Sequence, residues 1–201
     1  MNRQKLGSKS CFRYWIVIAI NFYFNNSQAQ ATLEIPLSSA ATSIIDPTII
    51  YDPQYFAIAY PNGDLPANRG VCTDVIIRAY RKLGIDLQQL VHEDMQANFN
   101  VYPKNWDMQR TDKNIDHRRV PNLMTFFRRK GLEKPITHNV ADYAPGDIVC
   151  WDLGRGIKHI GIVINEKSTD NKRYLIVHNI GQGQVAEDIL FHFPIIGHYK
   201  Y

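Results

Sequence analysis

The hydrophobic pattern of this 201-residue chain changes period once, near residue 140, and that change limits the fold more than any other feature. Before it, apolar residues recur every three or four positions, the spacing of one helix face. From Cys72 the series is Val75, Ile76, Ala79, Tyr80 and Leu83, with Gly84 as a stop after basic Arg81 and Lys82. Asp86 opens a second helix with an inner stripe of Leu87, Leu90, Val91 and Met95, reaching toward Phe99, while Glu93, Asp94 and Gln96 face water. Tyr102-Pro103 ends it, and 106–117 reads as a polar surface excursion. Pro121 suits the first turn of a third helix buried through Leu123, Met124, Phe126 and Phe127 and closed by Gly131. Asp46-Pro47 is a further helix-start signal for the segment up to Tyr60, which Asp52-Pro53 restarts or bends.

Beyond residue 140 the apolar runs are short and bounded by turn residues. Ile148–Trp151, His159–Ile164, Arg173–Val177, the stretch from Val185 to Leu190–Phe193, and Ile195–Tyr199 read as strands. Helices first and a four- or five-stranded, antiparallel sheet afterwards define an α+β fold.

Residues 1–29 stand apart as a secretion signal. Arg3, Lys5, Lys9 and Arg13 lead into an apolar stretch from Tyr14 to Phe24, and Ser27-Gln-Ala29 supplies small residues for a cut. Cleavage after Ala31 and retention as an anchor are the alternatives, although the apolar part falls short of the roughly 20 residues of a good membrane span. All four charges of the signal are basic, so removing it takes 23 Lys and Arg to 19, equal to the 19 Asp and Glu. The processed chain is near neutral, which argues against nucleic acid as a partner. A 30–50 extension and one domain over 51–201 complete the organisation; oligomeric state is left open.

Chemistry centres on Cys72, where a turn-rich loop becomes a helix. First-turn amides and the helix dipole favour a thiolate there, as a nucleophile needs. His159, heading the run Ile160-Gly-Ile-Val-Ile164, is the candidate general base, and His178, ending the next strand, its orienting partner. Asn179 is the alternative third residue, since one step along a strand reverses the face. The Cys72 amide and Tyr60 are candidate oxyanion donors, while Asp64 and Arg118 are candidates for substrate binding, Arg118 through a substrate carboxylate. Asp74 reads as a cap. The competing readings are packed core residues, or a Cys72–Cys150 disulfide in an oxidising compartment. No HExxH-like spacing calls for a metal, and no cofactor is expected.

The stretches Tyr60-Pro-Asn-Gly-Asp64, Gly70-Val-Cys-Thr-Asp-Val-Ile-Ile-Arg-Ala-Tyr80, Asn114-Ile-Asp-His-Arg-Arg-Val-Pro-Asn-Leu123, Pro145-Gly-Asp-Ile-Val149, His159-Ile-Gly-Ile-Val163 and Val177-His-Asn-Ile-Gly181 resemble the DUF1287 family of secreted bacterial proteins, related to the NlpC/P60-like, papain-like cysteine hydrolases. The resemblance runs from about Tyr51 to Tyr201. It implies a papain-like fold with Cys72, His159 and His178 as catalytic residues and Tyr60 as the upstream tyrosine. It further implies cleavage of amide or peptide bonds in peptidoglycan stem peptides, in the periplasm. Val71-Cys-Thr-Asp74 departs from the Asp-Cys-Ser-Gly arrangement of many cell-wall peptidases. The alternative function is an inactive envelope-binding module on the same scaffold.

Overall fold

Three helices form where their caps are written into the chain. In the computed structural model, which describes Met1 and residues 36–201, α1 (Leu37–Thr42) is followed by two-residue strands β1 (Ile50–Tyr51) and β2 (Arg69–Gly70) and then α2 (Cys72–Lys82). The expected secretion signal and its cut sites lie outside the described residues. The Asp74 carboxylate reaches back to accept the Val71 amide at 2.7 Å, satisfying one of the donors a helix start leaves free. Gly84, at φ +76°, takes the left-handed turn just past the other end. For α3 (Leu87–Ala97), the Asp86 side chain accepts the Gln88 and Gln89 amides. Pro121 sits in the first turn of α4 (Val120–Lys130), whose last turn carries Arg128, Arg129 and Lys130. Leu123, Phe126 and Phe127 are almost wholly buried, each contributing roughly 1.5–3 kcal/mol by leaving water.

The strands that follow are β3 (Leu132–Glu133), β4 (Ile148–Asp152), β5 (Lys158–Lys167), β6 (Tyr174–His178), β7 (Val185–Glu187) and β8 (Ile195–Lys200). They pair antiparallel in the order β3-β8-β4-β5-β6-β7. Strand alternation divides the core in two. Ile148, Cys150, Ile160, Ile162, Ile164 and Val177 pack with the helices. Val149, Trp151, Val163 and Ile176 turn to the other face, joined by Tyr143 and Leu190. The Leu190 carbonyl accepts the Trp151 indole N–H at 2.9 Å, so 190–193 covers this face as a turn and not as a strand. Among the described residues, no helix is long and apolar enough to cross a membrane.

Three further readings need correction. The segment 47–60 forms no helix: Asp46 accepts the Thr48 amide and hydroxyl, while its backbone bridges to Gln184. This local turn competes with a helical cap and prevails. Asp94, read as water-facing, is buried against Tyr102, Arg129 and Lys130. Burial alone would raise its pKa, but these donors hold it at about 2. Finally, α1 packs on α2 and β5, with Ala40 and Ala41 buried, so the compact unit begins ahead of Tyr51.

Candidate active site

Cys72 is the first residue of α2, and the chain holds that helix start from several sides. Arg118 grips Asp74 through two parallel hydrogen bonds of 3.0 and 3.2 Å, both side chains being buried. The same guanidinium donates to the Gln54 and Asp52 carbonyls, and the Arg118 carbonyl accepts the Thr73 hydroxyl. Cys72 thereby meets a cleft of about 290 Å³, walled by Tyr51, Trp106, Arg119, Ile157 and Lys158 among others. The thiol is buried, which pushes its pKa up to about 12. The backbone amides of Ile160, Thr73 and Cys72 work against that rise, while the Asp74 charge adds to it. The resting sulfur is therefore a protonated thiol.

The two histidines are a hydrogen-bonded pair. His159 Nε2 lies 3.0 Å from His178 Nδ1, with the rings edge to face. His178 Nε2 lies 2.9 Å from Glu187 Oε2, a close charge contact that is not aligned as a hydrogen bond. The carboxylate favours the His178 proton on Nε2, leaving Nδ1 to accept. His159 must then carry its proton on Nε2, and its Nδ1 becomes the lone-pair nitrogen, as a general base requires. Burial, then His178, lowers the His159 pKa to about 3; burial likewise lowers that of His178, against the raising effect of Glu187. Both rings are neutral at rest. Gly161 makes the pair possible: a Cβ there would come within 2.5 Å of Ile176 Cγ2 and 3.2 Å of His178 Cβ.

Cys72 and His159 both lie near the head of β5, but neither His159 nor His178 lines the cleft at Cys72. The Ile160 amide faces the sulfur, and this amide belongs to the peptide linking Ile160 to His159. Register pairs His159 with Trp151, and their rings lie 5.8 Å apart, so the imidazole emerges toward the Trp151 face while the thiol packs on the helix side. Among the described residues, no hydrogen bond joins Sγ to either ring.

The remaining candidates are dispersed. Tyr60 packs edge-on against His92, with ring centroids 5.3 Å apart, and does not line the cleft. Tyr51 lines it instead, because the parallel β1–β2 pairing sets Tyr51 beside Gly70, two residues before Cys72. Asp64 is bound by Arg78 and Arg81 elsewhere, and Arg118 is engaged by Asp74. Asn179 turns to the Gly70 carbonyl and the Gly181 amide, leaving His178 as the partner of His159. Cys72 and Cys150 are both free thiols, which removes the disulfide. Sequence reasoning missed Tyr51 and Glu187. The parity of β7 carried a signal for Glu187, which shares a face with Ile176; nothing local marked Tyr51. Among the described residues, no three His, Cys, Asp or Glu side chains gather as metal ligands.

The chain is 48% identical over 174 residues to a protein of Escherichia coli (strain K12) described as "Uncharacterized protein YijF", covering 87% of this chain and 84% of that one. No solved structure is significantly similar. The family described as "Domain of unknown function (DUF1287)" matches residues 38–201, and the chain belongs to that family.

Proposed function

We propose that this protein is a cysteine hydrolase of papain-like, NlpC/P60-type organisation that cleaves amide or peptide bonds in peptidoglycan stem peptides after export to the periplasm. The observation that carries the reading is the junction at the head of β5. There a single peptide group separates the residue whose amide faces the Cys72 sulfur from the residue whose ring begins the relay to His178 and Glu187. A helix-start cysteine, a cleft and a tautomer-fixed imidazole are the parts acyl transfer needs.

In this reading substrate enters the cleft, and a rearrangement at the head of β5 brings Sγ to His159 Nδ1. The thiol proton passes to Nδ1 as sulfur attacks the carbonyl carbon. The Cys72 amide and the Tyr51 hydroxyl receive the developing oxyanion, each good donor contributing roughly 3 kcal/mol. His159 returns the proton to the leaving amine, and a thioester remains on Cys72. Water, deprotonated by His159, then releases the acid and restores the thiol. The relay stabilises the transient imidazolium, and the Glu187 charge offsets part of its burial cost.

A second reading, an inactive envelope-binding module, is favoured by the burial that holds the thiol up at about 12 and His159 down at about 3. One experiment separates the two. Peptidoglycan fragments are incubated with the protein and with its Cys72→Ala form, and the product masses are compared. Hydrolysis predicts new fragments with the parent protein alone. Full turnover by a folded Cys72→Ala form would refute it, and wall binding without new fragments from either form would establish the module.

A further inference from the structure

The cleft beside Cys72 carries an uneven charge. Its lining has no Asp or Glu, but it includes Arg118, Arg119 and Lys158. Two of these cations are neutralised: Arg118 by Asp74 and Lys158 by Asp152 at 2.5 Å. Among the described residues Arg119 pairs with no carboxylate, although Asp116 and Asp112 are near enough to act on it through their charges. Its Nη1 is buried without a hydrogen-bond partner, an expensive state for a charged donor. The guanidinium lies over the Trp106 ring, 4.3 Å from the centroid. That stack orients its planar donor fork, at a tryptophan whose φ of +62° is itself an unfavourable backbone state for such a bulky residue. Trp106 and Ile157 are largely exposed at the cleft, so apolar walls flank a cation that, among the described residues, has no carboxylate bound to it.

We infer that the cleft takes a ligand bearing a free carboxylate, received by the Arg119 guanidinium against the Trp106 ring. This deepens the proposed hydrolase reading: it makes Arg119 a substrate-binding residue that selects anionic peptides near the scissile bond. Arginine suits this task because its two parallel N–H donors match the two carboxylate oxygens. Occupation of the subsite balances the cleft's charge in one contact.

Iodoacetate and iodoacetamide differ chiefly in a carboxylate, so their relative rates at Cys72 report the subsite directly. Alkylation of the full chain is mapped to Cys72 by peptide mass spectrometry, and the rate ratio is divided by that of N-acetylcysteine. The expected normalised ratio is about tenfold in favour of iodoacetate, equivalent to about 1.4 kcal/mol. It falls to about one in Arg119→Gln, with Arg119→Lys between them. A parent ratio at or below one, or a ratio unchanged by Arg119→Gln, overturns the subsite.

If neither reagent modifies Cys72, the thiol mechanism fails while the subsite is still decided by binding. Calorimetry on the Cys72→Ala protein compares a peptidoglycan stem tetrapeptide with its fully amidated counterpart. About tenfold tighter binding of the carboxylate form, lost on adding Arg119→Gln, upholds the subsite. Equal binding, or none by either peptide, overturns it.

Discussion

Two buried histidines on this sheet have opposite fates. His198, in β8, has both ring nitrogens engaged: Nε2 lies 2.8 Å from Asp147 Oδ2, and Nδ1 lies 3.1 Å from the Pro135 carbonyl. Tyr143 stacks on it with ring centroids 4.3 Å apart. Asp147 Oδ2 also takes Lys134 and the Ala144 amide, while Oδ1 is buried without a partner. His159 has one nitrogen tied to His178, and among the described residues its other nitrogen makes no hydrogen bond. The same division separates Arg118, locked on Asp74, from Arg119, which among the described residues has no carboxylate partner, and Asp64, held by two arginines, from the open cleft. Residue type is alike across each histidine or arginine pair, and both histidines are buried, whereas Arg118 is buried and Arg119 half-buried. The difference lies in bonding capacity left over after folding.

Substitutions at the two histidines sharpen this contrast most. His159→Ala is expected to lower turnover of stem peptides by at least about 10⁴-fold, as loss of a residue acting in a catalytic unit does, with the fold retained by denaturation. Asp147→Ala acts in the opposite sense. It leaves buried His198 and half-buried Lys134 without their anion, at a cost of roughly 3–5 kcal/mol in urea denaturation. A stable Asp147→Ala protein would break the comparison.

Gly161→Ala tests the spacing that brings β5 and β6 together. The added methyl meets Ile176 and His178, and overpacking of this kind costs about 1–3 kcal/mol. Displacement of the His178 ring resonances by NMR should accompany the loss. Glu187→Gln should be gentler. Removing its charge from His178 is expected to cost about tenfold in turnover, one pKa unit's worth of imidazolium stabilisation, with an unchanged denaturation midpoint.

The proton inventory gives a further test. Burial raises the Cys72 pKa to about 12 and lowers that of His159 to about 3, so both groups are neutral between those values. As pH rises toward 12 the thiolate fraction grows, and the iodoacetamide rate at Cys72 should climb without a plateau across pH 5 to 9, roughly tenfold per unit, each unit being 1.36 kcal/mol. A flat rate over that range would instead reveal a thiolate–imidazolium pair already formed.

Much of this was legible from the chain. The period change near residue 140 placed helices α2, α3 and α4 and the main strands, because helix stripes and strand runs both bury a defined face. Cys72 at a helix start and His159 at a strand head followed from those elements, and strand parity already separated His178 from Asn179. What escaped depended on distant partners. Strand β3 is two residues long and exists through pairing with β8, and Tyr51 reaches the cleft through an equally short pairing with Gly70. Asp94 obeyed helical periodicity yet was drawn inward by Arg129 and Lys130 of another helix. Arg118 and Arg119 are adjacent and chemically identical, so only the fold could decide which one Asp74 would occupy.

The central claim is that Cys72 carries the acyl group in turnover. Stem peptides should be mixed with the protein, quenched in acid within the first turnovers, and the digest mapped by mass spectrometry. The account predicts a thioester on Cys72 that disappears as free acid accumulates. Product released at full rate with Cys72 unmodified throughout would contradict it.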